Sequence, residues 1–147
     1  MFQIKASVIL STLLVSGLAI AGPGPIEERQ ELMKETRDAA KVIGGMVKQE
    51  RDFDATEAMD ALKVWQKTAA EVADLFPEGS AIGHDTEAKV TIWSDRAGFD
   101  EKLAEFASTT DAAIAAKPQS LDALKAAAGP VFKTCKGCHE GYRVEKD

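Results

Sequence analysis

Apolar residues recur three and four positions apart in four separate stretches of the chain, and this spacing is the strongest constraint on its fold. Such alternation places the apolar side chains along one face of an α-helix. The pattern predicts helices over residues 25–51, 54–76, 87–117 and 120–143. Four amphipathic helices of this length, joined by short connections, favour an all-α fold, an antiparallel (up-down-up-down) four-helix bundle.

Residues at the ends of these stretches support the assignment. Pro25 suits the first turn of a helix, where a missing N–H costs nothing. The run Asp54-Ala55-Thr56-Glu57 resembles a capping box, and Ser120 can cap the fourth helix. Pro118 ends the third stretch. Gly129-Pro130 falls inside the fourth stretch, and we expect it to bend that helix or to restart it, because proline removes a backbone donor.

The run Cys135-Lys136-Gly137-Cys138-His139 lies near the C-terminus and has the spacing that attaches a c-type haem. The thiols of Cys135 and Cys138 form two thioether bonds with the porphyrin, and His139 then serves as the proximal iron ligand. The chain has only two cysteines, and both belong to this motif. The sequence therefore predicts one covalently attached haem c, carried by the fourth helix.

Three other interpretations of the same residues exist. A thioredoxin-like dithiol requires a βαβ pattern, and nothing strand-like precedes Cys135. A structural zinc site requires four ligands, for which only Cys135, Cys138, His139 and the distant His84 are available. The third alternative is a disulfide between the two neighbouring cysteines. Haem attachment is favoured because the helical pattern and the N-terminal segment support it independently.

Residues 1–21 have the features of a secretory signal peptide. Lys5 provides the positive charge, an apolar run follows over residues 6–20, and Ala19-Ile20-Ala21 has the form of a cleavage site. The alternative is an uncleaved anchor, but the run is shorter than the about 20 residues that span a bilayer. We expect cleavage after about Ala21, which leaves a haem domain over residues 22–147 in the periplasm without a membrane segment. Export fits the motif, because bacteria attach haem c outside the cytoplasm.

The predicted topology also indicates which residues face the haem. In an up-down-up-down bundle, the N-terminal end of the first helix lies beside the C-terminal end of the fourth. Residues 28–36 should therefore face His139. Met33 is a candidate distal iron ligand, and Arg29 and Arg143 are candidates for pairing with a haem propionate. The alternatives are a plain core methionine and two solvated charges.

In these residues the chain resembles the class II c-type cytochromes, the cytochrome c-prime family. The resemblance spans the whole mature chain and rests on Arg29-Gln30 with Met33, on Ile92-Trp93, and on the block of residues 135–143. It implies a periplasmic haem protein in which His139 is the proximal ligand. It also places Gln30 beside Arg29 among the cofactor-binding residues.

The family resemblance implies two kinds of protein. In low-spin members a methionine at the position of Met33 binds the iron, and the protein carries electrons. In high-spin members the same position only crowds the iron, which stays five-coordinate and binds nitric oxide or carbon monoxide. Leu32-Met33-Lys34 and Leu75-Phe76-Pro77 look more like the low-spin type. We therefore predict an electron carrier, with the gas-binding protein as the alternative.

The charge and the motifs of the chain limit the partners and reactions that we expect. Eighteen basic against 24 acidic residues give a net charge of −6, which argues against nucleic acid, since its binding depends on Lys and Arg contacts to phosphate. No Ser-His-Asp set is present and no second histidine is placed as a distal acid–base group, so we predict that the protein is not an enzyme. His84 is expected to be a solvated loop residue. The redox partner is not encoded in a recognisable motif, and the family resemblance allows a homodimer through the first two helices.

Overall fold

Five helices make up the part of the chain that this computed structural model describes, residues 23–145. The segment predicted as a signal peptide, residues 1–21, lies outside these residues. The helices are α1 (Pro25–Val47), α2 (Ala55–Glu71), α3 (Thr91–Ser94), α4 (Arg96–Ala115) and α5 (Leu121–Tyr142), and a 3₁₀ turn over Val72–Leu75 extends α2.

The four long helices pack as a bundle. Helix α1 packs against α2 and α5, and α4 packs against the same two helices from the other side. The predicted all-α four-helix bundle is therefore confirmed. Between residues 23 and 145, no helix is both long enough and apolar enough to cross a bilayer.

Two apolar clusters fill the interior between the helices. The larger one centres on Trp65, Ile43 and Leu62, each fully buried. The smaller one comprises Leu32, Val72, Phe76, Ile92 and Phe99. Burying each such side chain stabilises the fold by roughly 1.5–3 kcal/mol.

The predicted starts of the second and fourth helices are confirmed by their caps. The carboxylate of Asp54 accepts a hydrogen bond from the Glu57 backbone N–H at 2.8 Å, which caps α2. The Ser120 hydroxyl accepts one from the Ala123 N–H at 3.2 Å, which caps α5. Each cap satisfies one N–H group that the helix itself cannot pair. Pro130 neither ends nor restarts α5, which continues through it to Tyr142.

The prediction of a single third helix over residues 87–117 was wrong. Residues 87–89 instead pair with the chain beyond α5. The Lys89 N–H donates to the Tyr142 carbonyl at 2.9 Å, and the Val144 N–H donates to the Glu87 carbonyl at 2.7 Å. The helix then breaks at Asp95, whose backbone leaves the helical region and whose carboxylate accepts from the Gly98 N–H at 3.3 Å. The pairing of residues 87–89 and the cap at Asp95 therefore prevent the continuous helix that the apolar spacing predicts.

The first two helices are also shorter than predicted. Helix α1 ends at Val47 rather than at residue 51, because Gln49 takes a left-handed conformation (φ 61°). Helix α2 gives way to the 3₁₀ turn at Val72. Both differences lie at helix ends, where side-chain periodicity carries the least information.

We expect Gly98→Ala to destabilise the protein by about 1–3 kcal/mol, the usual cost of overpacking. A Cβ atom at Gly98 would lie 2.4 Å from Asp95 Oδ2 and 2.7 Å from Tyr142 Oη. Gly44→Ala is the matched control, because a Cβ atom there meets nothing within 4 Å, and it should stabilise α1 by about 0.5–1 kcal/mol. Urea unfolding of the two holoproteins measures both effects, and equal stability would contradict the close approach at Gly98.

Candidate haem site

A cavity of about 500 Å³ opens between α1 and α5. All seven residues that the sequence predicted for the site line it: Arg29, Gln30, Met33, Cys135, Cys138, His139 and Arg143. Its walls are largely apolar, with side chains from α2 and the segment that follows it, from α3, α4 and α5: Trp65, Val72, Phe76, Ile92, Phe99, Leu103 and Phe132. The N-terminal half of α1 and the C-terminal half of α5 therefore meet at one cavity, as the antiparallel topology predicts.

Helix α5 supplies both thiols and the imidazole from successive turns. Cys135 and Cys138 are free in the structure, so the alternative of a disulfide between them is not realised. Within residues 23–145 no group of three or more His, Cys, Asp or Glu residues is arranged to hold a metal ion, so the zinc alternative has no support there.

Burial favours the uncharged forms of these groups. It raises the pKa of the Cys135 thiol to about 11 and raises that of Cys138 as well, so both thiols are neutral near pH 7. Burial also lowers the pKa of His139, which keeps the imidazole neutral at the same pH. Neutral imidazole is the form that binds iron.

Met33 lies on α1 at the same cavity. It is partly buried and packs in the same apolar cluster as Cys138. Its thioether is a soft, uncharged group of the kind that binds haem iron opposite a histidine. The described residues thus bring Met33 and His139 to one cavity from two helices that pack against each other.

Arg29 is not a solvated charge, because only 4% of its surface is exposed. Its terminal nitrogens donate four hydrogen bonds, to the carbonyl oxygens of Leu75 (3.1 Å) and Ser80 (2.7 Å), and to the hydroxyl groups of Ser80 (3.0 Å) and Thr86 (2.8 Å). The guanidinium also lies 4.7 Å from the centre of the Phe76 ring, a cation–π distance. Burial lowers its pKa.

All four acceptors of Arg29 are neutral, and no carboxylate among the described residues forms an ion pair with it. A buried cation is stabilised by an anion nearby. A haem propionate is such an anion, so the surroundings of Arg29 fit the predicted role, which stays a prediction.

Gln30 and His84 meet at the rim of the cavity. The side-chain amide of Gln30 donates to the His84 carbonyl at 2.8 Å. The His84 imidazole is 61% exposed, as predicted for a loop residue, and its Nδ1 lies 2.7 Å from a Glu27 carboxylate oxygen. His84 and Asp85 both have positive φ angles (48° and 52°), so the loop turns sharply here. Gln30 therefore holds a loop backbone, and its predicted contact with the cofactor stays a prediction.

Arg143 follows α5 directly and is exposed. Its Nε lies 3.9 Å from a Glu87 carboxylate oxygen, and its backbone forms an isolated β-bridge with Ala88. The neighbouring Tyr142 donates a hydrogen bond from its hydroxyl group to Asp95 Oδ2 at 2.8 Å, which raises the Tyr142 pKa. The C-terminal end of α5 is thus fixed to the start of α4.

Sequence reasoning missed three polar residues that shape the site: Ser80, Thr86 and Asp95. Ser80 and Thr86 accept hydrogen bonds from Arg29, and Asp95 accepts one from Tyr142. The two loop residues follow no periodic pattern, so nothing in the sequence marked them. Asp95 is the N-cap residue of α4, and aspartate is a common N-cap. This cap was missed because the apolar spacing placed Asp95 inside one continuous helix.

The model of the family described as Cytochrome C' matches residues 24–143 of the chain. The chain belongs to the cytochrome c' family. Among curated proteins, cytochrome c' from Rhodopseudomonas palustris is 36% identical over 136 residues, which cover 91% of each chain. Cytochrome c-556 from the same organism is 31% identical over 146 residues, which cover 96% of this chain and 97% of the relative.

Solved structures agree with this membership. Cytochrome c' from R. palustris superposes with a TM-score of 0.81 at 32% identity, covering 86% of this chain and all of the other. A nitric oxide complex of a variant cytochrome c' from Alcaligenes xylosoxidans has a TM-score of 0.73 at 29% identity, covering 82% of this chain and 94% of the other.

Membership of the cytochrome c' family confirms the prediction of haem c as cofactor. The cavity between α1 and α5 fits a haem group. Two thiols and an imidazole lie on one helix, the walls are largely apolar, and the buried guanidinium of Arg29 has no carboxylate partner within residues 23–145. Cys135 and Cys138 would hold the porphyrin, and His139 would bind its iron. Bound haem supplies an iron that exchanges single electrons or binds small gases.

Proposed function

We propose that this monohaem cytochrome is a periplasmic electron carrier with His139 and Met33 as axial ligands. The observation that supports it most is that an uncharged thioether from α1 and a neutral imidazole from α5 line the same cavity. A Met/His ligand pair raises the reduction potential of haem relative to other ligand sets, because the soft thioether favours ferrous iron.

The residues around the cavity suit this role. The apolar walls keep water from the iron and lower the local dielectric, which tunes the potential. Burial holds His139 in its neutral form before the iron binds. No part of the proposal requires covalent chemistry on a substrate, and we infer that the protein is not an enzyme.

Localisation and partners are part of the same proposal. Export depends on the signal-like segment over residues 1–21, with cleavage after about Ala21. Pairing of two copies through α1 and α2 stays a prediction, which sedimentation of the holoprotein would check. We infer no role for nucleic acid or for membrane attachment after cleavage.

The second candidate is a five-coordinate haem that binds nitric oxide or carbon monoxide. The curated relatives include both a cytochrome c' and a cytochrome c-556, and one solved relative is a nitric oxide complex. An apolar cavity admits neutral diatomic gases and excludes anions. In this alternative Met33 crowds the iron without binding it.

Replacing Met33 with Ala tests the two candidates. We expect the reduced wild-type protein to show the sharp α and β bands of six-coordinate low-spin haem and to bind carbon monoxide slowly or not at all. Without the thioether, the variant should show a high-spin spectrum and bind carbon monoxide readily. Optical spectra before and after addition of the gas measure both.

Met59→Ala is the matched control, since Met59 is partly buried on α2 and does not line the cavity. It should keep the wild-type spectrum. A wild-type protein that is high-spin would show that Met33 is not a ligand and would favour gas binding. A low-spin spectrum that Met33→Ala leaves unchanged would show that another group is the sixth ligand.

A further inference from the structure

The acidic and the basic residues of α1 lie on different sides of the helix. The helix contains five acidic residues, and none of them lines the haem cavity or the second cavity that adjoins it: Glu27, Glu28, Glu31, Glu35 and Asp38. The four basic residues of α1, and the lysine that follows the helix, each line at least one of these two cavities: Arg29, Lys34, Arg37, Lys41 and Lys48. Helix α1 thus presents a positive side to the two cavities, although the chain as a whole has a net charge of −6.

A second cavity of about 500 Å³ continues this positive side. It lies between the C-terminal half of α1 and Phe132 of α5, and it shares Arg37, Ala40 and Phe132 with the haem cavity. The two cavities therefore adjoin. We call the surface formed by Lys34, Arg37, Lys41 and Lys48 over Ala40 and Phe132 the basic groove. Glu50, at its far end, is the one acidic residue that lines the second cavity.

The cations of the basic groove are available to a partner. Arg37 and Lys48 form no salt bridge with any residue in the described range. Lys34 and Lys41 pair with Glu31 and Asp38 of the same helix, but these pairs are largely exposed. Exposed ion pairs are weak, so carboxylates from another protein can replace them.

We propose that the basic groove is the docking surface for an acidic protein that exchanges electrons with the haem, an inference that rests on the proposed electron transfer. Charge complementarity supports this occupant. The net charge of −6 disfavours an acidic partner on average, so a groove lined by four cations is where such a partner gains attraction. Because the groove adjoins the haem cavity, docking there brings the partner's redox group close to the iron.

The first test uses the haem-loaded protein and hexacyanoferrate(III), an anionic oxidant that takes one electron from ferrous haem and becomes hexacyanoferrate(II). Stopped-flow rates should fall as salt is added, the sign of attraction, although the protein as a whole is an anion. The double variant Arg37→Glu/Lys48→Glu should react about tenfold more slowly at low salt, within the range of electrostatic steering, and its rate should rise with salt.

The matched control is Lys63→Glu/Lys117→Glu. It makes the same change in net charge, and neither residue lines the haem cavity or the second cavity. We expect it to keep the wild-type salt dependence. A wild-type rate that rises with salt, or equal effects of the two double variants, would overturn the proposal, because net charge alone would then govern the reaction.

The second test measures binding without electron exchange. Poly-L-glutamate should bind the wild type and the control in isothermal titration calorimetry but not the Arg37→Glu/Lys48→Glu variant. Salt-sensitive self-association that this variant abolishes would assign the groove to a second copy and overturn the proposal. The spectrum of Met33→Ala tests the proposed ligation by itself, so a failure there is distinguishable from a failure of docking.

Discussion

Replacing both Cys135 and Cys138 with Ser is expected to give exported protein that carries no covalently bound haem. The two thiols are the only cysteines of the chain, and both line the cavity. Without thioether bonds, any haem that enters is held only by ligation and by apolar contact. Acidified acetone should therefore remove all colour from the variant and none from the wild type. Absorbance of the protein pellet after extraction measures this difference.

Lys136→Gln is the matched control for this experiment. Lys136 lies between the two cysteines, and its side chain is 77% exposed. It should retain the whole pigment. The double serine variant should also unfold at a lower urea concentration, because a group bound only by the folded state stabilises that state. Wild-type protein that releases its pigment into acidified acetone would contradict covalent attachment.

Arg29→Met should lower the free energy of unfolding by about 3 kcal/mol. The substitution removes the Arg29 hydrogen bonds from four buried or part-buried acceptors on Leu75, Ser80 and Thr86, of which, within residues 23–145, only Thr86 Oγ1 keeps another donor, the Ala88 N–H. An unsatisfied buried polar group costs about 1–3 kcal/mol, and partial solvation of the loop reduces the sum. The loss should appear in urea unfolding of the holoprotein, with the midpoint shifted to lower concentration.

Two further variants separate the causes. Arg29→Lys keeps the charge but loses the planar fork of donors, so its loss of stability should be intermediate. Arg37→Met removes an exposed arginine of the same helix and should change stability by less than about 0.5 kcal/mol. An Arg29→Met protein as stable as Arg37→Met would contradict the role of Arg29 as a connection between α1 and the loop over residues 75–86.

The sequence was sufficient for the features that depend on local or periodic signals. The three-four spacing identified the four long helices, since a helix buries one face wherever it packs. Side chains such as Asp54 and Ser120 fixed helix starts because a cap involves residues only three positions apart. The topology then brought Met33 and His139 to one cavity, because the ends of antiparallel helices lie side by side.

Contacts between residues distant in sequence explain what could not be predicted. The late start of the third stretch, at Thr91 rather than at residue 87, depends on residues 87–89 pairing with residues 142–144, which no pattern within that stretch encodes. The burial of Arg29 depends on Ser80 and Thr86, whose loop has no apolar period. The segregation of charge on α1 is visible in the sequence only once the position of the cavity is known.

The anchoring of the last turn of α5 bears on the speed of the proposed reaction. The end that carries His139 is held by the Tyr142 hydroxyl group and by backbone hydrogen bonds to residues 87–89. A helix end held in this way would keep the His139 imidazole in place if the charge on a bound iron changed. The nuclear rearrangement that accompanies oxidation would then be small, and a small reorganisation energy is what allows an electron to cross a gap quickly.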